Sequence, residues 1–221
     1  MSMPLARAGK EAIETKTKAH RDAIRTRGYG THYGDHSSYR PPAGVSLTES
    51  SCVVWAMECA AYAFNKVGQG GAWRRISANA RRNQLKGTVL IKDLVDIGWT
   101  GIYWNPDTTD TSDPEHSYSA HVARKSKTYY KIPVKDYVVD YRRKPRADLT
   151  GINKLDKVPF WVGCARGGRH VFCGTGANVS EFHWDYPATN PNAMELVALK
   201  DYEWLSGIVA VPPQVWAVAS R

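Results

Sequence analysis

The sequence predicts an α+β fold in which helices early in the chain pack on an antiparallel sheet built from its later part. Three observations carry that expectation. A strongly apolar segment, residues 52–67, opens after Ser50-Ser51 and closes at Gly68, as a capped helix does. Residues 167–185 (GGRHVFCGTGANVSEFHWD) hold two runs of strand formers around a Thr175-Gly176-Ala177-Asn178 turn. The length of 221 residues, with 43% hydrophobic and 11% aromatic content, suits one domain with a substantial core.

Taken in order, residues 5–27 have helix-forming composition, with Ala6, Ala12, Ile13, Ala19, Ala23 and Ile24 loosely on one side. They read as a surface helix, a segment suited to docking or delivery. Residues 28–45 are a Gly/Pro/Tyr loop. After the 52–67 helix, residues 72–86 form a basic helix with five Arg or Lys, and residues 88–97 an amphipathic one ending at Gly98. Residues 99–104 turn extended, residues 105–116 make a polar loop, and residues 129–141 alternate enough for one or two strands. A buried strand is expected over 158–165 because its apolar run is continuous, and a further strand over 203–212 ahead of Pro212-Pro213.

The net charge of +9 favours anionic surroundings, whether nucleic acid, a membrane surface or an envelope polymer. No run of about 18 apolar residues exists to span a membrane. The N-terminal stretch is basic and lacks an apolar h-region, so Sec export is not expected. Cysteines 52, 59, 164 and 173 have no CxxC spacing, which argues for reduced thiols over a zinc site or a disulfide framework. His32, Asp35 and His36 lie close in sequence, but too few further ligands accompany them for a metal site. No metal and no cofactor is expected.

The chemistry concentrates in two places. Cys52 falls in the first turn of its helix, where unpaired amides and the macrodipole favour a thiolate. Cys59, two turns deeper, has no such field and reads as a core residue. In the hairpin, glycine in the first position of a two-residue loop signals a type II′ turn. If Gly176-Ala177 is that loop, facing residues sum to 353, and His170 lies opposite His183. Directly opposed side chains are neighbours on one face, which suits a base and the group that orients it. Glu181, on the same face, is the reserve orienting group or a carboxylate at the rim of a binding cleft.

A thiol at a helix start followed by histidines on adjacent antiparallel strands is the papain-like arrangement of nucleophile, base and orienting group. In detail it resembles the NlpC-type cysteine peptidases and amidases of bacterial cell walls. There the nucleophile opens a helix, the base begins an H-V-x-x-x-x-G strand, and a third polar residue follows about a dozen positions on. Cys52, His170-Val171 through Gly176, and His183 fit those places, over roughly residues 45–68 and 158–185. The chain departs from the family in having Ser51 before the cysteine and Val53-Val54 after it.

The resemblance implies a papain-like (NlpC-type) domain over residues 46–221, preceded by a helix-and-loop extension over residues 1–45. It implies that Cys52, His170 and His183 are catalytic, and that an upstream tyrosine, Tyr39 or else Tyr33, helps bind substrate beside Glu181. The substrate class it implies is peptidoglycan, cleaved at amide bonds of stem peptides or cross-links. Without a Sec signal, such a hydrolase would reach its substrate through a holin, as phage lysins do, or through a contractile type VI machine, and the compact size, basic charge and absence of a repeated wall-binding module suit the second better. That would make the protein an injected antibacterial effector, acting in a target cell's periplasm, with a cognate immunity protein and a secretion-apparatus carrier as partners. The rival readings are a cysteine protease or deamidase-type toxin with a cytoplasmic protein target, and a non-enzymatic basic module binding the envelope or nucleic acid. No nucleic-acid-binding motif is present to support the last.

Overall fold

Among the described residues up to 98 helices dominate, because apolar residues recur there at helical spacing, and glycines follow three of the four helices. A computed structural model describes residues 2–30, 32–33, 49–105, 136–139, 155–165, 170–182, 187–191, 196–198 and 207–219. The first helix, α1 (Ser2–Arg27), buries Leu5, Ala8, Ala12, Ile13, Lys16, His20 and Ala23, a stripe with the period of a helix face. It ends at Gly28, whose φ of +81° only glycine adopts freely. This stripe packs on α2 (Cys52–Lys66) and joins the main core, so residues 2–27 are more than a surface segment. Expected as part of an extension, the helix is a layer of the fold; the boundary near residue 45 lies outside the described residues.

The second helix is apolar nearly all round, and a helix of that kind has to be buried on all sides. Its neighbours are α1, α3 (Gly70–Arg82) and the sheet. The third helix buries Trp73, Ile76, Ser77 and Ala80 and turns Arg74, Arg75, Arg81 and Arg82 outward. The left-handed residues Gln84 and Leu85 lead into α4 (Gly87–Asp96), which packs on the sheet and ends at Gly98, φ +101°.

Two short strands, β1 (His32–Tyr33) and β2 (Glu49–Ser50), pair in parallel, with Tyr33 against Ser50. The other strands are β3 (Thr100–Asn105), β4 (Asp136–Val139), β5 (Trp161–Ala165), β6 (His170–Thr175), β7 (Asn178–Ser180), β8 (Leu196–Ala198) and β9 (Gly207–Val211). Among the described residues they form one sheet in the order β4-β3-β9-β5-β6-β7-β8. Every pairing in it is antiparallel except β3 with β4. A short helix, α5 (Val215–Ala219), follows the last strand and contacts α1. The fold is therefore α+β, with helices on a largely antiparallel sheet.

The hairpin has the register that a two-residue loop at Gly176-Ala177 requires: Thr175 faces Asn178, Gly174 faces Val179 and Cys173 faces Ser180. Gly176 has φ +56°, and Ala177 has no positive φ, as a type II′ turn demands. Trp161 clamps this turn. Its indole N–H donates to the Gly176 carbonyl at 2.8 Å, and its ring fills the space over Gly174. A Cβ on Gly174 would come within 2.0 Å of that ring and 2.5 Å of the Asn178 carbonyl oxygen.

Candidate active site

Cys52 is the first residue of α2. Ser51 precedes it in extended backbone, φ −142°, and its hydroxyl accepts from the Val54 N–H at 3.4 Å, capping the helix. The Cys52 sulfur sits where amides without intrahelical partners gather and the macrodipole is positive. It accepts from the backbone N–H groups of Val53 and Val171 and hydrogen-bonds the His170 ring. Burial pushes the Cys52 thiol up; the His170 bond and charge, with the two amides, outweigh it and hold the thiol below its ordinary value. Cys52 is half-buried, whereas Cys59, Cys164 and Cys173 are fully buried.

His170 opens β6, paired with Ala165 of β5. Its ring rests on Phe172, with centroids 5.6 Å apart and planes tilted by 33°. Phe172 is held edge-on by Trp161 at 5.9 Å. Glycine at 163, directly opposite Phe172 in the ladder, makes room for that ring; a Cβ there would fall 2.6 Å from it. The imidazole is thus seated by packing before any polar contact is counted.

The polar contact is Glu181. His170 Nε2–H donates to Glu181 Oε2 at 2.5 Å, and both side chains are largely buried. Burial pushes His170 down, but the bonds and charges of Cys52 and Glu181 raise it to about 9. A lowered thiol beside a raised imidazole biases the proton between them toward the ring. These are the groups that nucleophilic attack on an acyl carbon needs: a thiolate, an acid that can return a proton, and a carboxylate that fixes the ring.

The sequence singled out Cys52 and His170, and they meet. Glu181, ranked second as an orienting group and named beside the substrate cleft, is buried against His170. One step past the last paired residues of the hairpin, the register sets position 181 opposite Phe172 and diagonal to His170. A long carboxylate spans that diagonal, so the signal was already in the register. His183 and Tyr39 lie outside the described residues. The backbone of Tyr33, the other tyrosine weighed, is paired beside Ser50, two residues before Cys52. Asp35 and His36 are also outside; among the described residues no group of three or more His, Cys, Asp or Glu is placed to hold a metal ion.

Around the site, α1 reaches behind the hairpin. The His20 ring meets Phe182 edge-on at 6.2 Å, and its Nε2 lies 2.9 Å from the Asn190 carbonyl oxygen. Four residues earlier, Lys16 forms a buried ion pair with Glu58 of α2, and its ammonium lies 4.9 Å over the Trp55 ring. The Trp55 indole donates to the Ser180 hydroxyl at 3.1 Å, tying α2 to β7. The sequence analysis singled out neither the buried lysine nor its carboxylate.

Among the described residues no helix is long and apolar enough to cross a membrane. Comparison with protein-family models, with curated proteins and with solved structures gives no match.

Proposed function

We propose that the protein is a papain-like cysteine hydrolase that cleaves amide bonds, with Cys52 as nucleophile, His170 as general base and acid, and Glu181 as the residue that positions His170. The observation carrying this reading is the chain of contacts from Cys52 sulfur to the His170 ring to the Glu181 carboxylate. Cys52 attacks the substrate carbonyl and forms a tetrahedral intermediate, whose oxyanion the Cys52 backbone amide helps stabilise. The imidazolium of His170 then gives its proton to the leaving amine, and an acyl-enzyme remains. Water, deprotonated by His170, releases the acid and restores the thiol. His183 stays a sequence-based candidate for the orienting role. Glu181→Gln and His183→Asn, compared singly, separate the two: the larger loss of turnover marks the residue that holds the ring.

The substrate class we propose is peptidoglycan, at amide bonds of its stem peptides or cross-links. The likeness of Cys52 and the His170-Val171 strand to NlpC-type enzymes supports it, as does a net charge of +9 facing an anionic polymer. On this reading the protein is an antibacterial effector injected into the periplasm of a target cell, and the producing cell carries an immunity protein against it. Mass spectrometry of purified sacculi incubated with the protein tests the assignment. Wild type should release fragments with a new amine and carboxylate, and Cys52→Ala should release none. Intact sacculi, with cleavage of a cytoplasmic protein instead, would move the same chemistry to the rival toxin reading.

A further inference from the structure

The carboxylate that orients His170 lies just outside the sheet. The paired ladder ends at Ser180, which faces Cys173 of β6 and Leu196 of β8, and Glu181 is the next residue. Side chains of two helices hold its neighbours in the chain. Ser180 is fully buried; its hydroxyl accepts from the Trp55 indole of α2 at 3.1 Å, and its carbonyl from the Cys173 thiol at 3.5 Å. Phe182, also buried, meets the His20 ring of α1 edge-on. Trp55 is itself seated from two sides. It is fully buried, and the Lys16 ammonium of α1 lies 4.9 Å over its ring. Lys16 in turn is paired with Glu58, three residues after Trp55 on the same helix.

We propose that Trp55 and Ser180 are positioning residues, whose hydrogen bond fixes where Glu181 stands against the His170 ring. The inference rests on the proposed site, and it adds a device that builds the site. Trp55 comes three residues after Cys52, so one turn of α2 carries both the nucleophile and the donor that anchors the residue before Glu181. The carboxylate–imidazole bond of 2.5 Å tolerates little drift, because a charge-assisted bond weakens steeply as its geometry degrades. With Ser180 tied to the helix, Glu181 cannot move away from the helix start unless a buried indole–hydroxyl bond breaks, and an indole N–H left unpaired inside the core is costly. The groups suit that task. An indole offers a single N–H from a rigid ring, which gives the bond one direction, and a serine hydroxyl one bond from the backbone passes the constraint to the chain with little slack. Both residues act through Glu181 and have no part in the reaction itself.

The test follows the titration of the His170 ring by NMR in the full chain, with His170→Ala identifying its signals. In wild type the midpoint should lie at about 9. Ser180→Ala removes the acceptor, and the midpoint should move down by roughly half a pH unit, because the carboxylate that favours the charged ring is less well placed. Trp55→Phe breaks the same bond from the helix side while keeping an aromatic ring, and should move the midpoint the same way. In a Glu181→Gln background neither substitution should move it further, since both act through that carboxylate. Wild-type midpoints in folded Ser180→Ala and Trp55→Phe proteins would overturn the proposal. Shifts of undiminished size in the Glu181→Gln background would do the same, since they would mark a general loosening of the core. Turnover plays no part in the measurement, so sacculi left intact alongside the expected shifts would count against the substrate and leave the positioning pair standing.

Discussion

At the residue scale the site rests on one proton and where it sits. His170 is raised to about 9 because Cys52 and Glu181 both favour its charged ring over the penalty of burial. Raised above its unfolded value, it contributes stability that is complete below about 6.5 and is lost as pH rises through about 9. The same titration bounds turnover, since above it the imidazolium that protonates the leaving amine disappears. The pH profile of kcat/KM should therefore keep its upper limb near 9. Glu181→Gln removes the charge while keeping a hydrogen-bonding group, so that limb should move down, and kcat/KM should fall roughly 10²-fold through loss of orientation. A Gln variant with an unmoved limb would show that the carboxylate does not tune the ring.

At the element scale, the structure makes specific demands on the residues between the functional ones. Gly163→Ala puts a methyl group 2.6 Å from the Phe172 ring, on which His170 rests, with Val209 at 3.1 Å behind. Overpacking of that kind costs about 1–3 kcal/mol. It should lower Tm and kcat together, and a variant losing neither would show that the aromatic support is slack. Lys16→Met leaves Glu58 buried without its cation, which costs about 3–5 kcal/mol. Adding Glu58→Leu should recover most of that loss in chemical denaturation, because the pair then becomes two apolar side chains. If the double variant is no more stable than Lys16→Met, the ion pair is not what the single variant lost.

These elements also show where the sequence was legible. Gly176 fixed the hairpin register because a two-residue loop with glycine first leaves no freedom to slip, and Ser51 with Gly68 bracketed α2 for the same kind of local reason. The first helix was harder. About half of its buried face is alanine, a good helix former whether buried or exposed, so composition could not say that the helix joins the core. Lys16 and Glu58 hid because charged residues are expected outside until a partner from a distant element is known. Strand β8 is three residues long, too short for alternation to declare itself. His183 drew attention over Glu181 because directly opposed residues are easier to see in a register than diagonal ones.

At the scale of the whole molecule, α1 belongs to the core that supports the site. Leu5, Ala8, Ala12 and Ile13 are buried in it, Gly9 lies against the Phe160 ring, and Lys16 and His20 reach the elements behind the hairpin. Deleting residues 1–27 should therefore abolish cooperative thermal unfolding. A truncated protein that melts like the full chain would restore the picture of a separable delivery segment. The proposed substrate makes a second demand at this scale. Expression directed to the periplasm should lyse cells while cytoplasmic expression is tolerated, and Cys52→Ala should be harmless in both. Toxicity confined to the cytoplasm would favour a protein substrate there.

The claim on which all of this depends is that Cys52 is a thiol acidified by His170. The rate of Cys52 alkylation by iodoacetamide, followed by mass spectrometry across pH 4–11 in wild type and His170→Ala, measures it without any assumption about substrate. In wild type Cys52 should react ahead of Cys59, Cys164 and Cys173, with a midpoint below that of an ordinary thiol. His170→Ala should move the midpoint upward, since it removes the largest of the effects that lower it. A wild-type midpoint at or above the ordinary thiol value, or one that His170→Ala leaves in place, would contradict the account.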